Sequence, residues 1–165
     1  LNANIGAIKQ AQGDLESALS YYGKAERLNP NSTLTRLNVG TLYQQKKDYR
    51  RAIEAYDSVL TIEPSNTKAM YYKATAMAEM GDKQTALSMY KSVLKLEPQN
   101  REAKEAMTDI LKETMSPIEY IGYLSQNGTE SELYDYSYKL HKDGKIDEAI
   151  HGYRAYLQKD QSKAE

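Results

Sequence analysis

The chain has no cysteine, no tryptophan and no phenylalanine, and only 4 prolines in 165 residues. Without cysteine there can be no disulfide, thiol nucleophile or cysteine-ligated zinc. The compartment stays open, because such a chain folds equally well on either side of a membrane; the lean is slightly to the cytoplasm. No apolar run approaches the roughly 20 residues a helix needs to cross a bilayer, so membrane insertion by this segment is not expected. An excess of one charge sign is also missing. Lysine plus arginine number 22 and aspartate plus glutamate 23, a net charge of -1, which gives no global attraction for nucleic acid. No nucleic-acid partner is therefore expected. The 9 glycines are scattered and form no phosphate-binding loop. Of the two histidines, His141 and His151, the second lies four residues after Asp147, a spacing that reads as an ordinary helix-surface pair rather than a metal site. With no nucleophile context either, no enzymatic activity, metal or cofactor is expected. The chain starts Leu1-Asn2-Ala3 without an initiator Met, which points to a processed chain or an excised fragment.

What the chain does have is tyrosine, 15 of them, and a period. Tyrosine fills an apolar seam while keeping its hydroxyl within reach of water or a partner. Pro30, Pro64 and Pro98 are spaced by 34 residues, within the phrases LNPNS, IEPSN and LEPQN. Three further columns run in phase: Ala18, Ala52 and Ala86; Tyr22, Tyr56 and Tyr90; Gly13, Lys47 and Gly81. Such a period fits two short helices with their turns. The small Ala lets helices approach, and the Tyr one turn later fills the gap between hairpins. The Gly column ends the first helix, where a left-handed residue is cheap. Asp14, Asp48 and Asp82 are placed to cap the second helix. The Pro column stops that helix, and Asn31 or Ser32, Ser65 or Asn66, and Asn100 offer the next cap.

Amphipathic periodicity between these signals predicts helices near 2–12, 15–28, 33–45, 49–62, 67–79 and 83–96. Met70, Met77 and Met89 fall on core-like stripes and read as core filling. Beyond residue 100 the period falters. Residues 101–114 keep an apolar stripe, Pro117 opens a short helix to about 126, and Gln126-Asn127-Gly128 reads as a turn. Gly144, Ala149 and Tyr153 then restore the spacing. Gly144 follows Gly81 by 63 residues rather than 68, so the intervening unit is five residues short. The expected fold is all-α: a solenoid of five antiparallel helix hairpins, about ten helices, in units 1–32, 33–66, 67–100, an irregular 101–129, and 130–165. The irregular unit is expected to change the curvature or leave a notch.

These residues resemble the tetratricopeptide repeat family over essentially the whole chain. The second repeat carries the resemblance in Val39, Gly40, Tyr43, Ala52, Tyr56 and Pro64, and the third in Ala74, Gly81, Ala86, Tyr90 and Pro98. The first keeps Ile5, Gly6, Gly13, Ala18, Tyr22, Ala25 and Pro30 but lacks two leading positions, as an excised fragment would. The last keeps Leu133, Tyr136, Leu140, Gly144, Ala149 and Tyr153, with Ser137 at the small position. The resemblance implies a right-handed superhelix forming a single repeat domain, whose first helices line a concave groove that binds protein partners or extended peptides.

Carried over by repeat position, the expected peptide-binding groove comprises Leu37, Asn38 and Thr41 in the second repeat. It continues with Lys68, Tyr71, Tyr72 and Thr75 in the third, Glu102, Glu105 and Asp109 in the fourth, and Tyr134 and Tyr138 in the last. A peptide with one basic side chain and an apolar anchor would suit that gradient: the anchor on Tyr71 or Tyr134, the base against Glu102, Glu105 or Asp109. The family's chaperone-binding subclass holds a terminal carboxylate with a five-residue clamp. Its positions here are Ala3, Ala7, Asn38, Lys68 and Tyr72, of which only Asn38 and Lys68 fit, so a chaperone C-terminus is not the expected partner. The rival expectation is a structural spacer or self-association domain, sealed through Ile146, Ile150, Tyr153, Tyr156 and Leu157 on the last helix.

Overall fold

The computed structural model describes residues 1–161, which form ten α-helices and no strand among the described residues. They are α1 (Asn2–Ala11), α2 (Leu15–Leu28), α3 (Thr33–Gln45), α4 (Tyr49–Ile62), α5 (Thr67–Glu79), α6 (Lys83–Leu96), α7 (Arg101–Thr114), α8 (Pro117–Asn127), α9 (Glu130–Lys142) and α10 (Ile146–Gln161). The chain falls into two compact units, Leu1–Met107 and Thr108–Glu165, with the boundary inside α7. The end of the 130–165 repeat lies outside the described residues.

In the first unit α1 pairs with α2, α3 with α4 and α5 with α6, and α2 and α4 pack on the first helix of the next hairpin. The predicted caps form. Asp14, Asp48 and Asp82 accept from the backbone N–H of Ser17, Arg51 and Thr85 at 3.1–3.2 Å. Of the alternatives for the other helix starts, Ser32, Asn66 and Asn100 are used. Each such cap contributes about 1 kcal/mol. Gly13 and Gly81 have positive φ, and so does Lys47 at 59°, so the turn needs the left-handed conformation whichever residue supplies it.

The core of this unit is the predicted alanine and tyrosine columns. Ala18, Ala52 and Ala86 are fully buried, and Tyr22, Tyr56 and Tyr90 are at most 1% exposed. Their hydroxyls are held. Tyr22 donates to Gln10 Oε1 at 2.8 Å and Tyr56 to Gln44 Oε1 at 2.9 Å. In the third hairpin Ala78 replaces that glutamine, and the Tyr90 hydroxyl pairs with Thr75 Oγ1 at 2.9 Å instead. A second periodic device closes the outer turns. Glu63 accepts from Thr33 Oγ1 (2.8 Å) and Asn66 Nδ2 (2.6 Å), and Glu97 repeats this with Thr67 (2.6 Å) and Asn100 (2.8 Å).

In the second unit α9 and α10 form a hairpin against which α8 packs. Ile121, Leu133 and Ser137 are fully buried, and Gly144 supplies the left-handed turn between α9 and α10. The shortening sits mainly in α8, which has 11 residues where α2, α4 and α6 have 14. The turns on both sides of α8 are also tighter than their regular counterparts. Ser116 and Glu119 form a reciprocal capping box at its start, and Thr129 with Glu132 does the same for α9. At the other end of α8, Lys159 Nζ donates to the carbonyls of Ser125 (2.7 Å) and Leu124 (3.3 Å), satisfying acceptors that a truncated helix leaves open.

Candidate peptide-binding site

The expected groove residues of the first unit lie on α3, α5 and the start of α7. Lys68, Tyr71, Tyr72 and Glu102 are brought together around a cleft of about 420 Å³ completed by Thr67 and Asn100. Lys68, Glu102 and Glu105 are exposed, whereas Tyr71, Tyr72 and Thr75 are half-buried. The tyrosines form a continuous aromatic run. Tyr72 stacks on Tyr56 with centroids 5.9 Å apart, Tyr71 meets Tyr72 edge-on at 5.5 Å, and Tyr71 lies 5.7 Å from Tyr90.

Electrostatics around Tyr71 report the acidic neighbours. Burial raises its phenol pKa, the hydrogen bond to Thr75 opposes that, and the charges of Glu102 and Glu105 push it further up. Both carboxylates therefore lie within electrostatic reach of the Tyr71 hydroxyl. Glu105 already has an ion pair with Arg101 at 2.9 Å. Both partners are exposed, so that pair is worth little and is readily exchanged for another cation.

Several of these residues carry structural duties as well. Leu37 and Tyr72 pack against the Ala52, Tyr56 and Ala76 cluster. Thr75 holds the Tyr90 hydroxyl. Thr41 donates to the Asn38 carbonyl at 2.9 Å and accepts from Gln10 Nε2 at 3.4 Å.

The second unit holds the other three. Asp109 is exposed on its part of α7. Tyr134 and Tyr138 are 45% and 48% exposed on α9, one turn apart, their rings nearly parallel with centroids at 6.4 Å. Tyr153 and Tyr156 of α10 meet Tyr134 at 5.7 and 5.5 Å, and Lys142 Nζ lies 5.6 Å from the Tyr138 ring. The same unit contains a cleft of about 280 Å³ between α7, α8 and α9, with Tyr120 and Tyr136 in its wall. Repeat-position reasoning did not select it. Its signal in the sequence was a tyrosine at 120, where the regular hairpins have alanine four residues into the second helix.

Among the described residues no cluster of three or more His, Asp or Glu could hold a metal ion, and no helix is long and apolar enough to cross a membrane.

Set against known proteins, the chain belongs to the tetratricopeptide repeat family: two family profiles of that description match residues 6–67 and 43–110. No curated protein sequence matches it. Among solved structures, MamA is similar over 99% of this chain and 92% of its own, at 22% identity and a TM-score of 0.68. The first repeat domain of Spaghetti (RPAP3), bound to an HSP90 peptide, is similar over 70% of this chain and 91% of its own, at 24% identity and a TM-score of 0.66. The second such domain of human RPAP3, in complex with an HSP70 peptide, covers 66% of this chain and 91% of its own, at 23% identity and a TM-score of 0.62. These likenesses establish the fold, an all-α tetratricopeptide solenoid.

Proposed function

We propose that the helical hairpins of the first unit serve as an interaction scaffold, which holds an extended peptide or protein segment on the exposed faces of its first helices and performs no chemistry of its own. The observation that carries this reading is the cleft of Lys68, Tyr71, Tyr72 and Glu102. It combines a half-buried aromatic wall with charges of both signs, the composition of a binding hot spot with a polar rim. A rigid stack leaves most of the ordering cost to the partner. The fold likeness to repeat domains bound to HSP90 and HSP70 peptides supports a peptide as the class of partner. The ligand differs, however. Ala3 and Ala7 stand where the carboxylate clamp has cations, while Glu102, Glu105 and Asp109 supply anions. The partner segment suited to the first unit has an apolar or aromatic anchor for Tyr71 and a basic side chain for Glu102 or Glu105.

Affinity capture with the intact chain beside a variant altered at Tyr71, Glu105 and Tyr138 tests this. Partners lost only by the variant carry the function; an unchanged set of partners contradicts the reading.

One observation favours a second reading, self-association through the last hairpin: Ile146, Ile150 and Leu157 of α10 are 49%, 43% and 55% exposed. Mass in solution across a range of concentrations distinguishes the two, since a strict monomer contradicts self-association.

A further inference from the structure

Arg36 of α3 bridges the turn before its own helix to α4. Its Nη2 donates to the Pro30 carbonyl at 2.7 Å and its Nη1 to the Ser58 carbonyl at 3.4 Å. Counted 34 residues on, the next hairpin has Met70, Pro64 and Ser92 at those three places. A thioether donates nothing, so the bridge is missing there. The Pro64 carbonyl accepts no hydrogen bond among the described residues. In place of the bridge stands an open pocket of about 300 Å³, lined by Leu60, Pro64, Met70, Met89 and Ser92. The same repeat position in α7 is Lys104, so Met70 interrupts a column of long cationic side chains.

The walls of the pocket have changed with its plug. Leu60 and Met89 stand where the earlier hairpin has Glu26 and Ala55. Leu60, Met70 and Met89 are half-buried and make an apolar trough, while Pro64 and Ser92 are exposed at its rim. No ionisable side chain lines it, and neither Lys91 nor Lys95, the α6 cations nearest Ser92 in sequence, takes part. The acceptors it offers are backbone carbonyls, as at Arg36. The Ser92 carbonyl, like that of Ser58, lies within a helix and has a second lone pair to give. An apolar trough with carbonyls at its rim suits a side chain with an aliphatic stem and a planar donor at its end. Unbranched methionines adapt to such a stem. Lysine has the stem, but its ammonium is strongly hydrated and lacks the fork that spans two carbonyls.

We propose that this pocket seats an arginine side chain of a partner polypeptide. The stem lies along Leu60, Met70 and Met89, and the guanidinium donates to the Pro64 and Ser92 carbonyls. The partner thus supplies from outside what Arg36 supplies from within the chain one hairpin earlier. The pocket shares no residue with the cleft of Lys68, Tyr71, Tyr72 and Glu102, so the two sites are separable by mutation.

NMR titration of the full 165-residue chain, labelled at the methyls of its 6 methionines, tests this. The probes are three alanine-based peptides with uncharged ends and a central arginine, lysine or norleucine. The arginine peptide should shift the Met70 and Met89 methyls saturably below about 10 mM and leave those of Met107 and Met115 in place. The lysine and norleucine peptides should bind at least about five-fold more weakly. Met70→Arg rebuilds the Arg36 bridge within the chain and should abolish the Met89 shift. A Glu102→Gln, Glu105→Gln variant, changed only in the groove of the first helices, should keep it. No saturable shift at Met89, norleucine binding as tightly as arginine, or an undiminished Met89 shift in a folded Met70→Arg variant would each overturn the proposal. Loss of the shift in the Glu102→Gln, Glu105→Gln variant would also overturn it, by assigning the arginine to the groove carboxylates.

Discussion

Tyr56 lies so close to Gly40 that a Cβ added to the glycine would stand 2.3 Å from the Tyr56 ring. Gly6 and Tyr22 repeat the relationship at 2.7 Å. The absent side chain is therefore a packing requirement: the ring that seals each hairpin rests on the backbone of the helix before it. The third hairpin manages with Ala74 at this position, and there Tyr90 turns its hydroxyl to Thr75.

Gly40→Ala should accordingly destabilise the fold although alanine is the better helix former. Overpacking a fully buried ring costs about 2 kcal/mol, a fall of about 5 °C in midpoint. Thermal melting followed at 222 nm checks this. A variant as stable as the parent would mean that the ring can move aside.

Lys47 makes the opposite prediction. It holds φ at 59° in a turn where Gly13, Gly81 and Gly144 hold the same region. A left-handed L-residue costs about 1–2 kcal/mol, part of which glycine returns as unfolded-state entropy. Lys47→Gly should gain about 1 kcal/mol, and Gly81→Ala, which meets nothing within 4 Å, should lose about as much. Chemical denaturation of the two variants should shift the midpoint in opposite directions.

The turn carboxylates set the acid limb of stability. Hydrogen bonds from Asn66 and Thr33 hold Glu63 below its ordinary 4.5, and those from Thr67 and Asn100 do the same for Glu97. Asp14 and Asp82 are lowered by the capped residues Ser17 and Thr85. A folded pKa below the unfolded one contributes stability above the unfolded value, which is lost as pH falls through the folded value. Stability should thus be level above about pH 5 and fall below about 4.5. A Glu63→Gln, Glu97→Gln double variant should show a shallower fall between pH 5 and 3 in urea titrations.

Much of this architecture was legible because one physical unit recurs. Cap, apolar stripe and stop coincide every 34 residues, so most of the helix limits expected from the pattern agree with α2 to α7. Legibility faded where one position serves two purposes. Thr75 is among the expected groove residues, yet it holds the Tyr90 hydroxyl, because a side chain at the groove edge can reach back into the seam. The cleft beside Tyr120 was not legible for a different reason. With five residues missing, column counting no longer aligns α8 with its relatives, and only the cap at Ser116 restores the register that sets Tyr120 against alanine. In the last hairpin the tight contact also moves: Ser137 and Gly152 meet, a Cβ on the glycine falling 2.2 Å from Ser137 Oγ, while Tyr153 stays half-buried.

The central claim, that the acidic and aromatic faces of the first helices hold a basic, aromatic-anchored segment, is tested most directly by charge reversal. The affinity of one such peptide should be measured for the parent, for Glu105→Lys with Asp109→Lys, and for Glu54→Lys, which is also exposed but on the second helix α4. The account predicts a loss of about ten-fold or more for the α7 pair, which lessens at high salt, and little change for Glu54→Lys. Equal affinities for the two variants would contradict it.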